Sequence, residues 1–301
     1  MNQKAKSVIR SCVPKPALRA LRRAHAKVVS VGARRTFEGA PEEPVWLERS
    51  TLETLQKEYP EPPAYGYDPH SLERRGRQRA REVLRLIGAR ASRITKFLEL
   101  GCLDGMVSCL LQRMGKEATA VDVECERFDE RAMREGVRLL EMDAAHLQLE
   151  DESFDLVFSY NCFEHFADPE SVLQEAIRVA RKGGYVYLNF GPLYMSPMGL
   201  HAYRTITVPY CQHLFPKEVL QEFADSIGGI DYSSINGWSV EDFRSLWHRY
   251  SHRLTKTVYY EQPNVSHLDL IAKYPSCFKS KTKNFDNLIV ADIEVLFEKS
   301  R

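Results

Sequence analysis

Residues 96–122 constrain this chain more than any other stretch. Residues 97–100 form a short apolar run that reads as a buried strand, Gly101 and Gly105 bracket a tight turn, and residues 106–114 carry apolar side chains at helical spacing. The order is strand, glycine turn, helix. Glycine lets the backbone turn sharply and lets a ligand approach the peptide groups, while the start of the next helix offers N–H groups that have no intrahelical partner. A second strand over 118–123 carries Asp122, about twenty residues past the turn, where a carboxylate can accept both hydroxyls of a ribose. The stretch points to a nucleoside-containing cofactor.

Further motifs recur downstream in a fixed order. They are Glu99-Leu100-Gly101-Cys102-Leu103-Asp104-Gly105, Asp122 after the second strand, Met142-Asp143-Ala144 after a third strand over 137–142, the apolar run 154–159, and Glu164-His165-Phe166. Together they resemble class I S-adenosylmethionine-dependent methyltransferases, of the type 11 branch, over residues 70–235. The resemblance implies an α/β fold: a Rossmann-like three-layer sandwich with a seven-stranded, mostly parallel sheet and an antiparallel last strand. It also implies S-adenosyl-L-methionine as cofactor, with Glu99, Gly101, Cys102, Gly105, Asp122, Val123, Asp143, Ala144 and Asn161 as the residues that bind it. In the family, the acid at Asp143 lies against the adenine amino group. One position departs from the pattern: Leu103 stands where the family has glycine, and its side chain narrows the cofactor's approach.

The rest of the chain divides around this segment. Residues 1–36 contain Lys4, Lys6, Arg10, Lys15, Arg19, Arg22, Arg23, Lys27, Arg34 and Arg35 and no acid, and 17–31 can form a basic amphipathic helix. Such an extension is either solvated or docked loosely, contacts an anionic surface, or is an Arg-rich presequence broken by Pro14 and Pro16. Residues 37–70 are rich in Pro and Tyr and read as a linker packing on the domain, with a short helix over 47–58 and with Tyr65 and Tyr67 near its end. Residues 71–301 then form the domain. A charged helix over 71–87 precedes the first strand, and Asp168 and Pro169 start another that runs to 181 and stops at Gly183-Gly184.

A fifth strand over 185–190 leads into residues 191–216, a long aromatic loop read as a substrate lid, with Tyr194 and Tyr203 as candidate substrate contacts. After a helix over 217–226 come a sixth strand at 230–235 and a helix over 240–250. Residues 236–287 form a cap insertion, and period-two alternation over 289–297 marks a final antiparallel strand.

Composition sets limits on compartment and partners. A formal net charge of +1 gives no global field for nucleic acid, and no basic, aromatic-lined surface is evident outside the N-terminal arm. Seven cysteines without a Cys-x-x-Cys pair suggest reduced thiols and a cytoplasmic protein, and neither they nor the histidines show metal-ligand spacing.

The expected reaction is methyl transfer by in-line displacement to oxygen or nitrogen of a small-molecule or glycan acceptor. The methyl group on a sulfonium is already electrophilic, so alignment supplies much of the acceleration. A hydroxyl acceptor also wants a base, for which His165, His201 and His213 are the candidates, each with packing as its competing role. Two alternatives stay open: a catalytically degenerate binding or scaffold protein, supported by Leu103, and a nicotinamide-dependent oxidoreductase, which the Gly-x-x-x-Gly turn disfavours.

Overall fold

The computed structural model describes residues 14–62, 66–228 and 235–301. Seven strands form one sheet: β1 (Lys96–Leu100), β2 (Glu117–Asp122), β3 (Arg138–Glu141), β4 (Phe154–Tyr160), β5 (Ala180–Phe190), β6 (Leu254–Pro263) and β7 (Val290–Lys299). Their order is β3-β2-β1-β4-β5-β7-β6. Strands β1 to β5 pair in parallel, and β7 runs antiparallel to β5, with Tyr185 opposite Glu298 and Phe190 opposite Ile293. This is the expected α/β, Rossmann-like architecture.

The chain groups into two compact units. One comprises Pro62–Gly191, Ser233–Tyr259 and Ile293–Arg301, and the other Met1–Glu61, Pro192–Tyr232 and Tyr260–Asp292.

In the sheet unit the central strands are covered on both faces. Phe97, Leu156, Phe158, Tyr185 and Tyr187 pack with Ala80 and Val83 of the Pro69–Ile87 helix and with Met106 and Leu110 of the Met106–Arg113 helix. Because successive side chains of a strand point to opposite faces, Phe190 and Phe297 belong to the other side. There Phe190 meets Phe243, with ring centroids 4.8 Å apart, and Phe297 meets Trp247 at 5.1 Å, both partners lying on the Val240–Arg249 helix. The Pro69–Ile87 helix carries Gly76 at its closest approach to its neighbour, where a Cβ would come within 2.8 Å of the carbonyl oxygen and Cγ of Met106. Asp68 caps this helix and Asp168 caps Pro169–Val179, each accepting two backbone N–H bonds.

Three readings of local structure need correction. The helix begun by Asp168 ends at Val179, and Gly183-Gly184 lies inside β5 instead of ending that helix. Five of the six positions of the sixth strand expected at 230–235 lie outside the described residues, and β6 comes from Leu254–Pro263, within the stretch read as a cap. It sits beside β7 at the sheet edge, where side chains such as Thr255, Lys256 and Thr257 stay exposed, so it lacks the apolar alternation that marks a strand buried on one face. The stretch read as a lid over 191–216 supplies core residues: Met195, Ile206, Val208, Tyr210, Leu214 and Phe215 are buried with Phe37, Leu52, Leu55, Phe278 and Phe285. Long loops with many apolar groups cannot stay at a surface when a core is within reach.

That second unit is stitched from distant segments. Gln56 donates to the Thr205 carbonyl at 2.9 Å and accepts from the Thr207 N–H at 3.0 Å, and the Leu47 N–H donates to Leu214 O at 2.8 Å. The basic arm is two helices, Lys15–Val29 and Val31–Glu38. The second is docked: Phe37 is fully buried and meets Phe285 edge-on at 5.5 Å.

Candidate active site

The parallel strands bring their C-terminal ends to one edge of the sheet. The chain leaves β1 outward to β2 and β3, then returns to the far side of β1 for β4, so a crevice opens between β1 and β4 where the connections diverge. Register sets who stands there. Leu100 pairs with Val121, which puts Asp122 beside Gly101, and Asp122 pairs with Glu141, which puts Asp143 just beyond β3.

The turn after β1 is tied down by its own amides. Gly101 and Cys102 N–H both donate to Val121 O, at 2.9 and 3.1 Å. Gly101 has φ +67° and lies against the turn after β4, where a Cβ would overlap Cys162 Sγ, so only glycine satisfies both demands. Gly105, at φ +71°, precedes the Met106–Arg113 helix.

Leu103 takes φ +53°, a left-handed backbone that costs a branched residue strain, and its N–H donates to Asp122 Oδ2 at 2.7 Å. The other Asp122 oxygen accepts from Glu124 N–H at 3.3 Å. The helix N–H groups expected to be open to a ligand are partly taken by carboxylates of the chain: Met106 N–H by Asp104 at 2.8 Å and Ser108 N–H by Glu99 at 3.1 Å. Glu99 also accepts the Ser108 hydroxyl at 2.6 Å. Burial pushes the Glu99 carboxyl up to about 8, against those hydrogen bonds, and raises Asp104 as well.

Asp143 accepts from Ala145 N–H at 2.8 Å and lies 3.3 Å from His146 Nδ1, while Ala144 next to it is buried. Val123 is exposed, and Cys102 is buried with its thiol pushed far up by desolvation. Asn161, at φ +48°, is exposed and donates its N–H to Asn189 O at 2.8 Å, holding the first residue after β4 to β5.

His165 is half-buried in the same turn, with Nε2 3.9 Å from Oε1 of the buried Glu164. That Glu164 oxygen accepts Gly191 N–H at 3.1 Å, linking the turn to the end of β5. Asn236 clamps the turn from outside: its side-chain amide donates to Phe163 O and Phe166 O at 3.0 and 3.2 Å, and its N–H donates to Glu164 O at 3.0 Å. Sequence reasoning missed Glu164 and Asn236 as positioning residues. Glu164 lies within a motif and could have been flagged, whereas nothing local distinguishes Asn236.

Ten of the fourteen expected site residues therefore stand together on the sheet unit: Glu99, Gly101, Cys102, Gly105, Asp122, Val123, Asp143, Ala144, Asn161 and His165. The others, Tyr194, His201, Tyr203 and His213, belong to the second unit. His201, at φ +58°, has Nε2 2.9 Å from Pro192 O and its ring 5.5 Å from Tyr203. Tyr194 is half-buried, and burial raises its hydroxyl.

His213 is a core histidine, which corrects its candidacy as a base. It is buried among Tyr194, Tyr210 and Phe278, its Nε2 is 3.1 Å from Met195 O, and burial lowers its pKa to about 4.

Residues 98–188 match the family model described as a methyltransferase domain. Over those residues the chain carries a methyltransferase domain. Such domains use S-adenosyl-L-methionine. The residues around the turn fit it: a glycine at φ +67° that no Cβ could replace, and two carboxylates at the ends of adjacent parallel strands.

Among curated proteins, the chain is 29% identical over 100 residues to a ubiquinone biosynthesis O-methyltransferase of Pectobacterium carotovorum, covering 31% of this chain and 42% of that protein. It is 27% identical over 105 residues to the protein of the same name from Maricaulis maris, covering 33% and 41%. The chain thus spans less than half the length of the curated relatives it matches. A putative S-adenosylmethionine-dependent methyltransferase of Listeria monocytogenes superposes with a TM-score of 0.47 at 11% identity, covering 75% of this chain and 99% of that one. The methyltransferase domain leaves the nicotinamide alternative without support.

Proposed function

We propose that the protein methylates a hydroxyl of a small-molecule or glycan acceptor. When bound, S-adenosyl-L-methionine supplies an electrophilic methyl group on a positive sulfur. The observation that carries the reading is the convergence of the glycine turn, Asp122, Asp143 and His165 on one sheet edge. In this reading Asp122 accepts the ribose hydroxyls, and Gly101 leaves room for the cofactor beside the β1 turn.

His165 takes the hydroxyl proton on Nε2, and the buried Glu164 carboxylate steadies the imidazolium so formed. The preference for oxygen rests on that imidazole and on the O-methyltransferase names of the two relatives described above. Leu103 favours a second reading, a binding protein that has lost the cofactor, because its side chain occupies a position held by glycine in the family and its amide holds Asp122.

Calorimetric titration with S-adenosyl-L-methionine and S-adenosylhomocysteine decides between them. Binding that weakens about tenfold or more in Asp122→Ala, the loss expected of a charged hydrogen-bond acceptor, supports the enzyme. A folded protein that binds neither ligand is the scaffold.

A further inference from the structure

The second unit carries a helix with two dissimilar faces. In Lys15–Val29 and its cap residue Ser30, the positions Arg22, Ala26 and Ser30 point inward: Ala26 and Ser30 are buried, and Arg22 donates to Gln262 at 3.2 Å. Arg19 and Arg23 lie over the Tyr260 ring at 4.6 and 5.0 Å, fixing the helix to its unit. The outward face follows helical spacing through Ala17, Leu21, Ala24 and Val28, all exposed, and continues to Val31 at the start of the next helix. Leu21 is 61% exposed, Val28 73% and Val31 56%, which is far from the fate of isolated surface apolar residues because all three share one stripe. Lys27 borders the stripe and Arg35 lies beyond it, and residues 15–37 contain no Asp or Glu.

We propose that this face is a docking surface for an anionic lipid membrane, on which the Lys15–Val29 helix lies flat. An amphipathic helix binds such a surface by sinking its apolar stripe to the acyl boundary while bordering cations reach the headgroups. The stripe is built of Leu, Val and Ala on the outer surface of a helix. Charge argues against a second copy: face-to-face packing would set Lys27 of one copy against Lys27 of the other with no acid on the Lys15–Val29 helix to offset them. The inference stands apart from the methyl-transfer reading and uses none of its residues.

The test is co-sedimentation of the full chain with phosphatidylcholine vesicles, with and without phosphatidylglycerol. Binding is expected only with the anionic lipid and should weaken with salt. Lys27→Glu and Arg35→Glu should each weaken it about fivefold or more, the contribution of a cation near such a surface. Leu21→Glu with Val28→Glu should abolish it, and Leu21→Ser with Val28→Ser, a milder pair at the same exposed positions, should weaken it. Circular dichroism melts report whether each variant is folded. Absence of binding to anionic vesicles, or binding unchanged in the folded Leu21/Val28 variants, overturns the proposal. So does concentration-dependent self-association in lipid-free sedimentation velocity that the same variants remove, an outcome that gives the face to a second copy.

Discussion

Leu103 is the residue at which fold and cofactor make different demands. Its backbone sits at φ +53°, where a leucine costs roughly 1–2 kcal/mol, and its amide spends a hydrogen bond on Asp122. Replacing it with glycine removes that strain but adds about as much freedom to the unfolded chain, so the melting temperature of Leu103→Gly should change little. Cofactor affinity should rise, since the side chain no longer narrows the approach; titration of the variant with S-adenosylhomocysteine checks this. Weaker binding would mean that the leucine contacts the cofactor productively. The sequence revealed this position, because a single side chain in a glycine turn is visible without coordinates. It could not reveal that the Asp122 carboxylate already holds an amide of this turn and the Glu99 carboxyl one of the helix that follows it, since that depends on where β1, β2 and the helix place them.

At the scale of elements, the strands inside the sheet were legible and the β6 edge was not. The runs that became β1, β2 and β4 are apolar and bounded by turn residues, and β7 alternates, so periodicity found all four. Strand β6 lies at an edge and wears a polar face, which hides it from any pattern based on burial.

Close packing between helices is a further property absent from periodicity. Gly76 reads as an ordinary weak point in a helix, yet a Cβ there meets the Met106 backbone, which cannot move without shifting the glycine turn after β1. Gly76→Ala should therefore lower stability by about 1–3 kcal/mol in urea unfolding, although alanine favours helix elsewhere. It should also weaken cofactor binding, while Arg77→Ala, one position along on the exposed side, should do neither. A stabilised Gly76→Ala would show that the helix can move aside freely.

At the scale of the whole molecule, the chain builds two cores, and only one of them could be read in order. The sheet unit is largely continuous through residues 66–191, whereas the second joins segments more than a hundred residues apart, so local patterns reported a linker, a lid and a cap. The two cores also hold ionisable groups of opposite pH response.

Glu99, in the sheet unit, is buried with Ser108 as its hydrogen-bond partner and with Asp104 and Arg79 nearby. Its folded value of about 8 lies above the unfolded 4.5. The folded state keeps a proton that the unfolded chain releases, so this group's stabilising contribution is lost as pH rises from 4.5 to about 8, by several kcal/mol.

His213, in the second unit with Lys281 nearby, has a folded value of about 4 against 6.5 unfolded. The unfolded chain takes up a proton first, and stability falls by roughly 3 kcal/mol as pH drops through that window. Asp292 of the second unit, raised by burial to about 6 and bonded to Gln262, opposes His213 over part of the acid range, so variants and not the wild type must separate them. Glu99→Gln keeps an acceptor for Ser108 and should flatten the decline as pH rises from 4.5 to about 8. His213→Gln keeps a donor for Met195 O and should flatten the acid decline alone. Thermal melts of both variants and the wild type between pH 4 and 9 carry the test. A Glu99→Gln protein that still loses stability from pH 5 to 8 as steeply as the wild type would mean that Glu99 is already ionised in the fold, held by Arg79 instead of by a proton.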